Sequence, residues 1–358
     1  MDYASSYERL EKFINGEPMG ELAFLLAAGA KSMRSFLGRQ PTEEDKLNFR
    51  MSLGSVAPLY TARPYAERSP GVTTESRQVR DEERIEYTTP HGSFTETRID
   101  GQITDFKLKT PADLEVFINV CNDAEIEADD DAFAKVQSMA DGRSPVGLTT
   151  GPSPVQRLIQ RETGVANFYF LLMDAPGLME AVMEALQEQQ RQRYNILPRY
   201  EGDYWYQGEN TSTTMISPDY YEKYSLPHIK EFADSAHAGG KRAIVHMCGL
   251  LHGLLPLFRK TGMDGIHSLT PPPTGDVPFE KAYECFPADF SILGRFGSVQ
   301  WVGRDKAGIL QELEKTVPRD IFRERPFMLW VTADQVEDIS RENFYALRDA
   351  IAEYNKRR

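Results

Sequence analysis

From residue 145 onward, short apolar runs rich in β-branched and aromatic residues alternate with longer amphipathic stretches. This alternation is typical of a parallel sheet in which a helix follows each strand. The seven strands predicted from the pattern are 145–150, 167–173, 203–210, 242–249, 264–270, 290–296 and 327–332. A closed barrel of this type requires an eighth strand, and it is predicted at 51–60, the best remaining apolar run. The predicted fold class is therefore α/β, as a single (β/α)8 TIM barrel.

Amphipathic stretches between these strands predict the helices that cover the barrel. They are 154–162, 175–194, 218–238, 250–260, 277–286, 305–315 and 340–354. Upstream, 7–15 and 20–37 are predicted as helices, so residues 1–50 are expected to form a helical cover for a barrel spanning 51–358. Barrels with insertions hold this many residues in one structural domain.

The stretch 83–100 breaks this pattern. Residues 84–88 and 93–97 alternate in polarity around Thr89-Pro90-His91-Gly92. Two alternating runs joined by a short glycine-containing turn predict a β-hairpin inserted after the first strand. The segment that follows, 110–141, is acidic and is predicted to be helical.

Charge and cysteine content narrow the classes of function. The chain has a formal net charge of −13, and its lysines and arginines are scattered along the sequence, which disfavours nucleic acid as a partner. The first residues lack the pattern of a signal peptide, and no run of eighteen apolar residues predicts a membrane span. Three widely spaced cysteines, Cys121, Cys248 and Cys285, indicate a reducing compartment, so a cytoplasmic protein is expected.

Candidate chemistry concentrates at the predicted strand ends, because the active sites of such barrels lie at the carboxyl ends of their strands. His246 and Cys248 are two residues apart on one strand, so their side chains point the same way. Zinc accepts both imidazole and thiolate, and Glu209 or Asp334 could complete a three-ligand site with an open position. The alternative is that His246 and Cys248 are buried barrel residues.

Further polar and aromatic residues at the same predicted mouth are candidates for binding substrate. Arg295 could meet a carboxylate or phenolate of the substrate, or pair with a carboxylate of the protein. His267 precedes a proline-rich loop that could form a wall of the site or only end the strand. The substrate-binding candidates are Thr150, Tyr206, Asn210, His267 and Arg295.

Several short motifs in the same order resemble those of the uroporphyrinogen decarboxylase superfamily, from about residue 145 to the carboxyl terminus. This superfamily includes barrel decarboxylases and zinc- and cobamide-dependent methyltransferases. The matching motifs are Gly151-Pro152, Asp174-Ala175-Pro176, Ile216-Ser217-Pro218-Asp219-Tyr220, His246-Met247-Cys248-Gly249, Gly262-Met263-Asp264, Leu293-Gly294 and Glu342-Asn343.

The resemblance favours the methyltransferase branch, of O-demethylase type. The decarboxylases have an arginine-rich MRQAGR motif, which the nearest stretch here, 33–39, lacks, so a tetrapyrrole with eight carboxylates has no evident clamp. The methyltransferases have His-x-Cys on this strand and a second cysteine after the last strand, where this chain has Ala333. Asp334 or Glu209 would then replace that cysteine, or no zinc would bind. An oxygen-rich site would be a harder Lewis acid, better suited to an ether oxygen than to a thiol.

The activity that the resemblance implies is transfer of a methyl group between a small methoxylated, aromatic substrate and the cobalt of a corrinoid. The corrinoid would be supplied by a partner protein, and a homodimer is allowed. His246, Cys248 and Glu209, with zinc, would polarise the methoxy oxygen. Three alternatives stay open: a metal-independent decarboxylase with Arg295 facing a carboxylate, a methylcobalamin:thiol methyltransferase, and a non-catalytic binding barrel.

Overall fold

The computed structural model describes residues 2–27, 30–37, 39–333 and 336–357. Its strands are β1 Ala23–Ala27, β2 Tyr60–Ala62, β3 Tyr65–Arg68, β4 Thr73–Val79, β5 Glu82–Thr89, β6 Gly92–Ile99, β7 Gln102–Asp105, β8 Glu125–Ala128, β9 Val146–Thr149, β10 Tyr204–Gly208, β11 Ala243–His246, β12 Gly265–Leu269, β13 Ser291–Phe296 and β14 Phe327–Thr332.

The helices follow the strands as expected for an α/β protein. They are α1 Tyr3–Asn15, α2 Ala30–Leu37, α3 Glu43–Ser52, α4 Pro111–Asn122, α5 Asp130–Ala140, α6 Pro154–Arg157, α7 Gly164–Asp174, α8 Pro176–Ile196, α9 Pro218–Tyr220, α10 Leu226–Ala238, α11 Leu255–Phe258, α12 Phe279–Cys285, α13 Ser298–Trp301, α14 Lys306–Thr316, α15 Arg319–Glu324 and α16 Arg341–Lys356. Turns of π type, Leu158–Glu162 and Tyr221–Ser225, extend α6 and connect α9 to α10. No helix within the described ranges is long and apolar enough to cross a membrane.

Eight parallel strands form one curved sheet in the order β1-β14-β13-β12-β11-β10-β9-β2. The α/β class and the curved parallel sheet agree with the prediction. The edge strands β1 and β2 share no ladder among the described residues, but the segment ahead of β2 bonds to β1. The amide of Val56 donates to the carbonyl of Phe24 at 2.9 Å, and the amide of Leu26 donates to Ser55 Oγ at 3.0 Å. These bonds bridge the seam between the two edges.

Six of the seven predicted strands are present, but 167–173 lies in the helix α7. The run Asn-Phe-Tyr-Phe-Leu-Leu-Met is apolar throughout, so it fits a buried strand as well as a helix. Its buried residues Phe168, Leu171 and Leu172 are spaced three and four apart, which is the period of a helix. Phe170 and Met173, on the opposite side of this helix, are 63% and 74% exposed.

The first barrel strand was also misplaced. The helix predicted at 20–37 is instead β1 followed by α2, and the strand predicted at 51–60 begins in α3 and reaches β2 only at Tyr60. Alanine and leucine favour a helix when isolated. In β1, however, the run Ala-Phe-Leu-Leu-Ala is covered on both faces, as a strand of a parallel barrel sheet must be. The barrel therefore takes a strand from the segment expected to be its cover.

Alternation along the strands divides the core into two layers. Tyr204, Ile244, Leu293 and Met328 point into the barrel and pack with Phe13 of α1. Their strand neighbours pack outward, under the helices. The carbonyl of Phe13 accepts a hydrogen bond from Ser291 Oγ at the start of β13, so α1 closes the amino-terminal end of the barrel. The carboxyl ends of the strands lie opposite.

Between β2 and β9 the chain forms a separate antiparallel region. At the hairpin predicted within 83–100, β5 pairs with β6, and Thr89 lies opposite Gly92. Adding β4 and β7 gives a four-stranded sheet. It packs on α4, where the rings of Phe94 and Phe117 are 6.2 Å apart. The acidic segment 110–141, predicted as helical, contains α4 and α5 with the short strand β8 between them.

Asn343, at the start of α16, holds the loop between α13 and α14. Its amide nitrogen donates to the carbonyls of Trp301 and Arg304 at 3.1 and 2.9 Å, and its Oδ1 accepts from the amide of Gly303 at 2.9 Å. Asn343→Ala removes all three bonds and leaves the Gly303 amide and the Arg304 carbonyl without this partner, while the Trp301 carbonyl still accepts from the amide of Arg304 at 3.2 Å. We expect the free energy of unfolding in urea to fall by about 2–4 kcal/mol.

The exposed neighbour Glu342 provides a matched control for Asn343. Glu342→Ala should change the free energy of unfolding by less than about 1 kcal/mol. Equal losses in the two variants would contradict the role given to the Asn343 amide.

Candidate active site at the barrel mouth

Five inward-pointing side chains form one layer at the carboxyl ends of five neighbouring strands. They are Tyr206, His246, His267, Arg295 and Trp330, on β10 to β14. Within the sheet His246 is the register partner of His267, and Arg295 is the partner of Trp330. The register does not pair His246 with Tyr206 or His267 with Arg295, so side-chain contacts join the rest of the layer. These contacts bring imidazole, guanidinium and aromatic groups together at the mouth.

The two histidines contact each other directly. Their Nδ1 atoms are 2.6 Å apart, so one ring donates a proton and the other accepts it. Burial, and to a smaller extent the nearby Arg295, lowers the pKa of His246 to about 4. Burial, together with His246, also holds the pKa of His267 well below its ordinary value. At neutral pH the pair is therefore two neutral imidazoles.

Aromatic rings enclose this pair. The Trp330 ring lies 4.6 Å from the His267 ring, and the Tyr206 ring meets His267 edge-on at 5.8 Å. Burial raises the pKa of Tyr206, and the nearby Cys248 adds to the effect. The Tyr206 hydroxyl therefore stays protonated, and it has no hydrogen-bond partner among the described residues. It is free to donate a hydrogen bond to a ligand.

Arg295 supplies the positive charge of the layer. Its guanidinium carbon lies 5.8 Å from the centre of the Trp330 ring, and its Nε donates to Thr332 Oγ1 over 3.4 Å. Within the described chain it forms no ion pair with a carboxylate. The sequence allowed Arg295 either to pair with a carboxylate of the protein or to bind an anionic group of the substrate. The described residues do not show the pairing, so the charge of Arg295 remains available to a ligand.

Cys248 lies just beyond the end of β11. Its Sγ donates to Asn210 Oδ1 at 3.0 Å, and the amide of Asn210 donates to the carbonyl of His246 at 2.7 Å. Burial raises the pKa of Cys248, and Arg295 only partly opposes this, so the group is a thiol at neutral pH. At Gly249, φ is +89°, and a Cβ would lie 2.9 Å from Ser212 Oγ. The loop requires glycine there.

Glu209 does not join His246 and Cys248, contrary to the prediction. Its carboxylate accepts hydrogen bonds from the amide and hydroxyl of Ser153, at 2.8 and 2.6 Å. β10 ends at Gly208, and Glu209 continues the outward-facing set of Trp205 and Gln207. Burial raises the pKa of Glu209 to about 7, although the Ser153 and Thr211 hydrogen bonds oppose this. It is a buried group behind the sheet.

The predicted zinc site is correspondingly incomplete in the described part of the chain. No group of three or more His, Cys, Asp or Glu side chains there is placed to hold a metal ion. His246 and Cys248 lie at the mouth, Glu209 faces elsewhere, and Asp334 lies outside the described residues. The described side chains alone therefore do not fit the three-ligand centre that the sequence predicted.

Two cavities adjoin the mouth. Below the layer, inside the barrel, lies a cavity of about 130 Å³ lined by Tyr204, Leu293, Tyr206 and His267, among others. Beside it, at the end of β9, Thr150 lines a larger pocket of about 580 Å³. The sequence predicted Thr150 as a site residue, but it predicted neither this second pocket nor Trp330. The alternation of Met328, Trp330 and Thr332 along β14 could have indicated Trp330.

Comparison with known proteins agrees with this architecture. Residues 109–354 match the family described as uroporphyrinogen decarboxylase (URO-D). Among solved structures, a methyltransferase from Methanosarcina mazei matches with a TM-score of 0.60 and 14% identity, over 98% of each chain. A D-psicose 3-epimerase from Clostridium cellulolyticum H10 matches 63% of this chain and 83% of its own, at 11% identity and a TM-score of 0.35. No curated protein matches by sequence.

The curved parallel sheet with a polar layer at its carboxyl ends is that of a barrel enzyme. The chain belongs to the uroporphyrinogen decarboxylase (URO-D) family. The Methanosarcina structure shares the fold along its full length.

Proposed function

We propose that the protein transfers a methyl group between a small methoxylated substrate and the cobalt of a corrinoid held by a partner protein. The observation that supports this most is the layer of Tyr206, Arg295, Trp330 and the neutral His246–His267 pair. Demethylation of an ether needs a site that stabilises the negative charge on the oxygen that the methyl group leaves. It needs no charged base, and neutral imidazoles suit it.

Arg295 and Tyr206 would stabilise the departing oxygen. When the bond between that oxygen and the methyl carbon breaks, the oxygen becomes a phenolate, while the methyl carbon bonds to the acceptor. A guanidinium without a carboxylate partner and a protonated hydroxyl are both donors to such an oxyanion. The phenolate then takes its proton from water. Trp330 and the edge of His267 offer flat surfaces for an aromatic ring of the substrate.

The proposed reaction would use two groups that the chain itself does not supply, a zinc ion and a corrinoid. His246 and Cys248 are the residues that would contribute to holding zinc, with Asp334 as the remaining candidate from the sequence. Zinc, if bound, acts as a Lewis acid on the ether oxygen, and the corrinoid supplies cobalt(I) as the methyl acceptor. The roles given to Arg295 and Tyr206 do not depend on zinc.

The experiment that tests this function mixes the full chain with methoxybenzoate isomers and chemically reduced cob(I)alamin, with zinc supplied or chelated. We expect methylcobalamin to form, followed by its absorbance, at a rate proportional to protein concentration. Formation no faster than in a protein-free control, for every isomer, would contradict the proposal. An arm with methylcobalamin and a thiol tests the thiol methyltransferase alternative.

A decarboxylase is the second candidate, and Arg295 is the observation that favours it. A guanidinium with no ion pair in the described chain can bind a reacting carboxylate as well as a phenolate. In that case the product is carbon dioxide and the methoxy group is retained. The two candidates therefore differ in which carbon leaves the substrate.

A further inference from the structure

The pocket beside β9 lies between the mouth of the barrel and the inserted antiparallel sheet. Its volume is about 580 Å³, and Thr149, Thr150 and Gly151 at the end of β9 form one wall. Residues of the inserted sheet, Glu96 and Arg98, form another. None of its residues belongs to the layer of His246 and Arg295. It is a separate cavity on the same face of the barrel.

Cationic side chains dominate this pocket. Its lining contains six of them and three carboxylates, an excess of three positive charges in a chain whose net charge is −13. The cations are Arg63, Arg98, Lys107, Arg157, Arg161 and Arg193, and the carboxylates are Glu67, Glu96 and Glu162. They come from five separate stretches of the chain, 63–67, 96–98, 107, 157–162 and 193, so the folded chain brings them together. Such a concentration of like charge costs stability unless an anion offsets it.

The three carboxylates do not neutralise the cations. Glu67 alone is shared by Arg63, Arg157 and Arg193, at 3.2, 3.5 and 2.8 Å. Glu162 accepts from Arg157 as well, at 3.2 Å, and lies 2.6 Å from Lys107. Within the described residues Arg161 forms no ion pair.

Two buried polar atoms in the lining also lack partners in the part of the chain that the structure describes. Arg193 is 3% exposed, and its Nε has no hydrogen-bond acceptor. Thr150 is 2% exposed, and its Oγ1 has no partner. A buried polar atom without a partner destabilises the folded state, so native proteins seldom leave one unpaired. A ligand with acceptor oxygens in this pocket would satisfy both atoms.

We propose that this pocket binds the oxyanion group, a carboxylate or a phosphate, of an acidic small molecule. Arginine forks match both groups in two-point hydrogen bonding, and the stacking of Arg63 and Arg193 on the Tyr65 ring, at 4.7 and 5.3 Å, orients them. β9 and β11 are separated by one strand, so the pocket lies roughly 10 Å from the end of β11.

The position of the pocket beside the barrel mouth suggests which molecule carries the anionic group. An elongated acid could place its anionic end in the pocket and its other end beside His246. That this acid is the methylated substrate rests on the proposed function; the binding of the anion does not. The two statements are therefore tested separately.

The test is isothermal titration calorimetry of the full chain, at low ionic strength, with tricarballylate in one arm and inorganic phosphate in the other. We expect at least one of the two probes to bind with a stoichiometry of one per chain. Binding of tricarballylate indicates a carboxylate site, and binding of inorganic phosphate indicates a phosphate site. Arg161→Gln should weaken binding about tenfold or more, because it removes a charged donor without breaking an ion pair. Arg199→Gln, at an exposed arginine that does not line the pocket, should leave the dissociation constant unchanged.

The proposal is overturned if neither probe binds the wild-type chain, or if Arg161→Gln and Arg199→Gln weaken binding equally. It is also overturned if Arg295→Gln abolishes binding while Arg161→Gln does not, since the anion would then lie at the active site. The titration uses no corrinoid and no methyl donor. A negative result in the methyl-transfer assay therefore leaves this measurement intact, and the reverse also holds.

Discussion

Replacing His246 by alanine is expected to lower kcat/KM for methyl transfer to cob(I)alamin by a factor of about 10²–10⁴. The variant removes the imidazole that lies 2.6 Å from His267 and opens the buried layer to water beside Arg295. Water in that layer weakens the electrostatic stabilisation of the leaving oxygen. If zinc binds as proposed, Cys248→Ser should also slow the reaction, because a serine hydroxyl is a weaker zinc ligand than the thiolate that zinc would stabilise.

Matched substitutions elsewhere control for non-specific effects. His91 lies in the β5–β6 turn, 2.8 Å from Asp123, and Cys285 lies at the end of α12, away from the mouth. His91→Ala and Cys285→Ser should keep at least about half of the wild-type kcat/KM. Rates for His246→Ala and Cys248→Ser within twofold of the wild type would show that the chemistry takes place elsewhere. Steady-state kinetics with saturating corrinoid decides between these outcomes.

Glu209→Gln is expected to change how the stability of the protein depends on pH. Burial raises the pKa of Glu209 from 4.5 to about 7, so the folded state holds this proton more tightly than the unfolded state. The stability contributed by the protonated group is complete below pH 4.5 and is lost as pH rises through 7. The shift corresponds to about 3 kcal/mol at most. Glutamine stays neutral at every pH, so the variant does not lose this stability as the pH rises.

The measurement is urea unfolding of the wild type and Glu209→Gln at pH 5 and pH 8. The variant should gain up to about 3 kcal/mol relative to the wild type between these values. The lowered pKa values of His246 and His228 act with the opposite sign, on the acid side, and cancel in the difference between the two proteins. Glu201→Gln, at an exposed carboxylate, should show no such change. A difference that does not vary with pH would contradict the account of Glu209.

The sequence was sufficient to place the barrel strands from β9 onward, apart from 167–173. Their alternating or continuous apolar runs, bounded by helix signals, have few other interpretations. β1 was missed because Ala23–Ala27 has the composition of a helix, and only burial on both faces makes it a strand. Propensity is a weak guide when tertiary packing covers both sides of a segment.

The site residues could be predicted only where the sequence shows which side chains of a strand point into the barrel and which point outward. His246, His267 and Arg295 lie on inward positions of strands that the sequence located, although β11 ends at His246 and not at the predicted residue 249. The structure brings the three side chains together with Tyr206. The incorrect placement of Glu209 also follows from this alternation. Glu209 continues the series Trp205 and Gln207, whose side chains point outward, so its own side chain points outward too. The arginine-lined pocket could not be predicted, because Arg63, Arg161 and Arg193 are distant in sequence and converge only in the folded chain.

The central claim is that the carbon leaving the substrate at this mouth is a methyl group. A methoxybenzoate labelled with ¹³C in both its methoxy and carboxyl carbons tests this most directly, with ¹³C NMR of the products after incubation with the full chain and cob(I)alamin. The account predicts labelled methylcobalamin together with hydroxybenzoate that retains its labelled carboxyl carbon. Labelled carbon dioxide together with an intact methoxy group would contradict it and identify a decarboxylase.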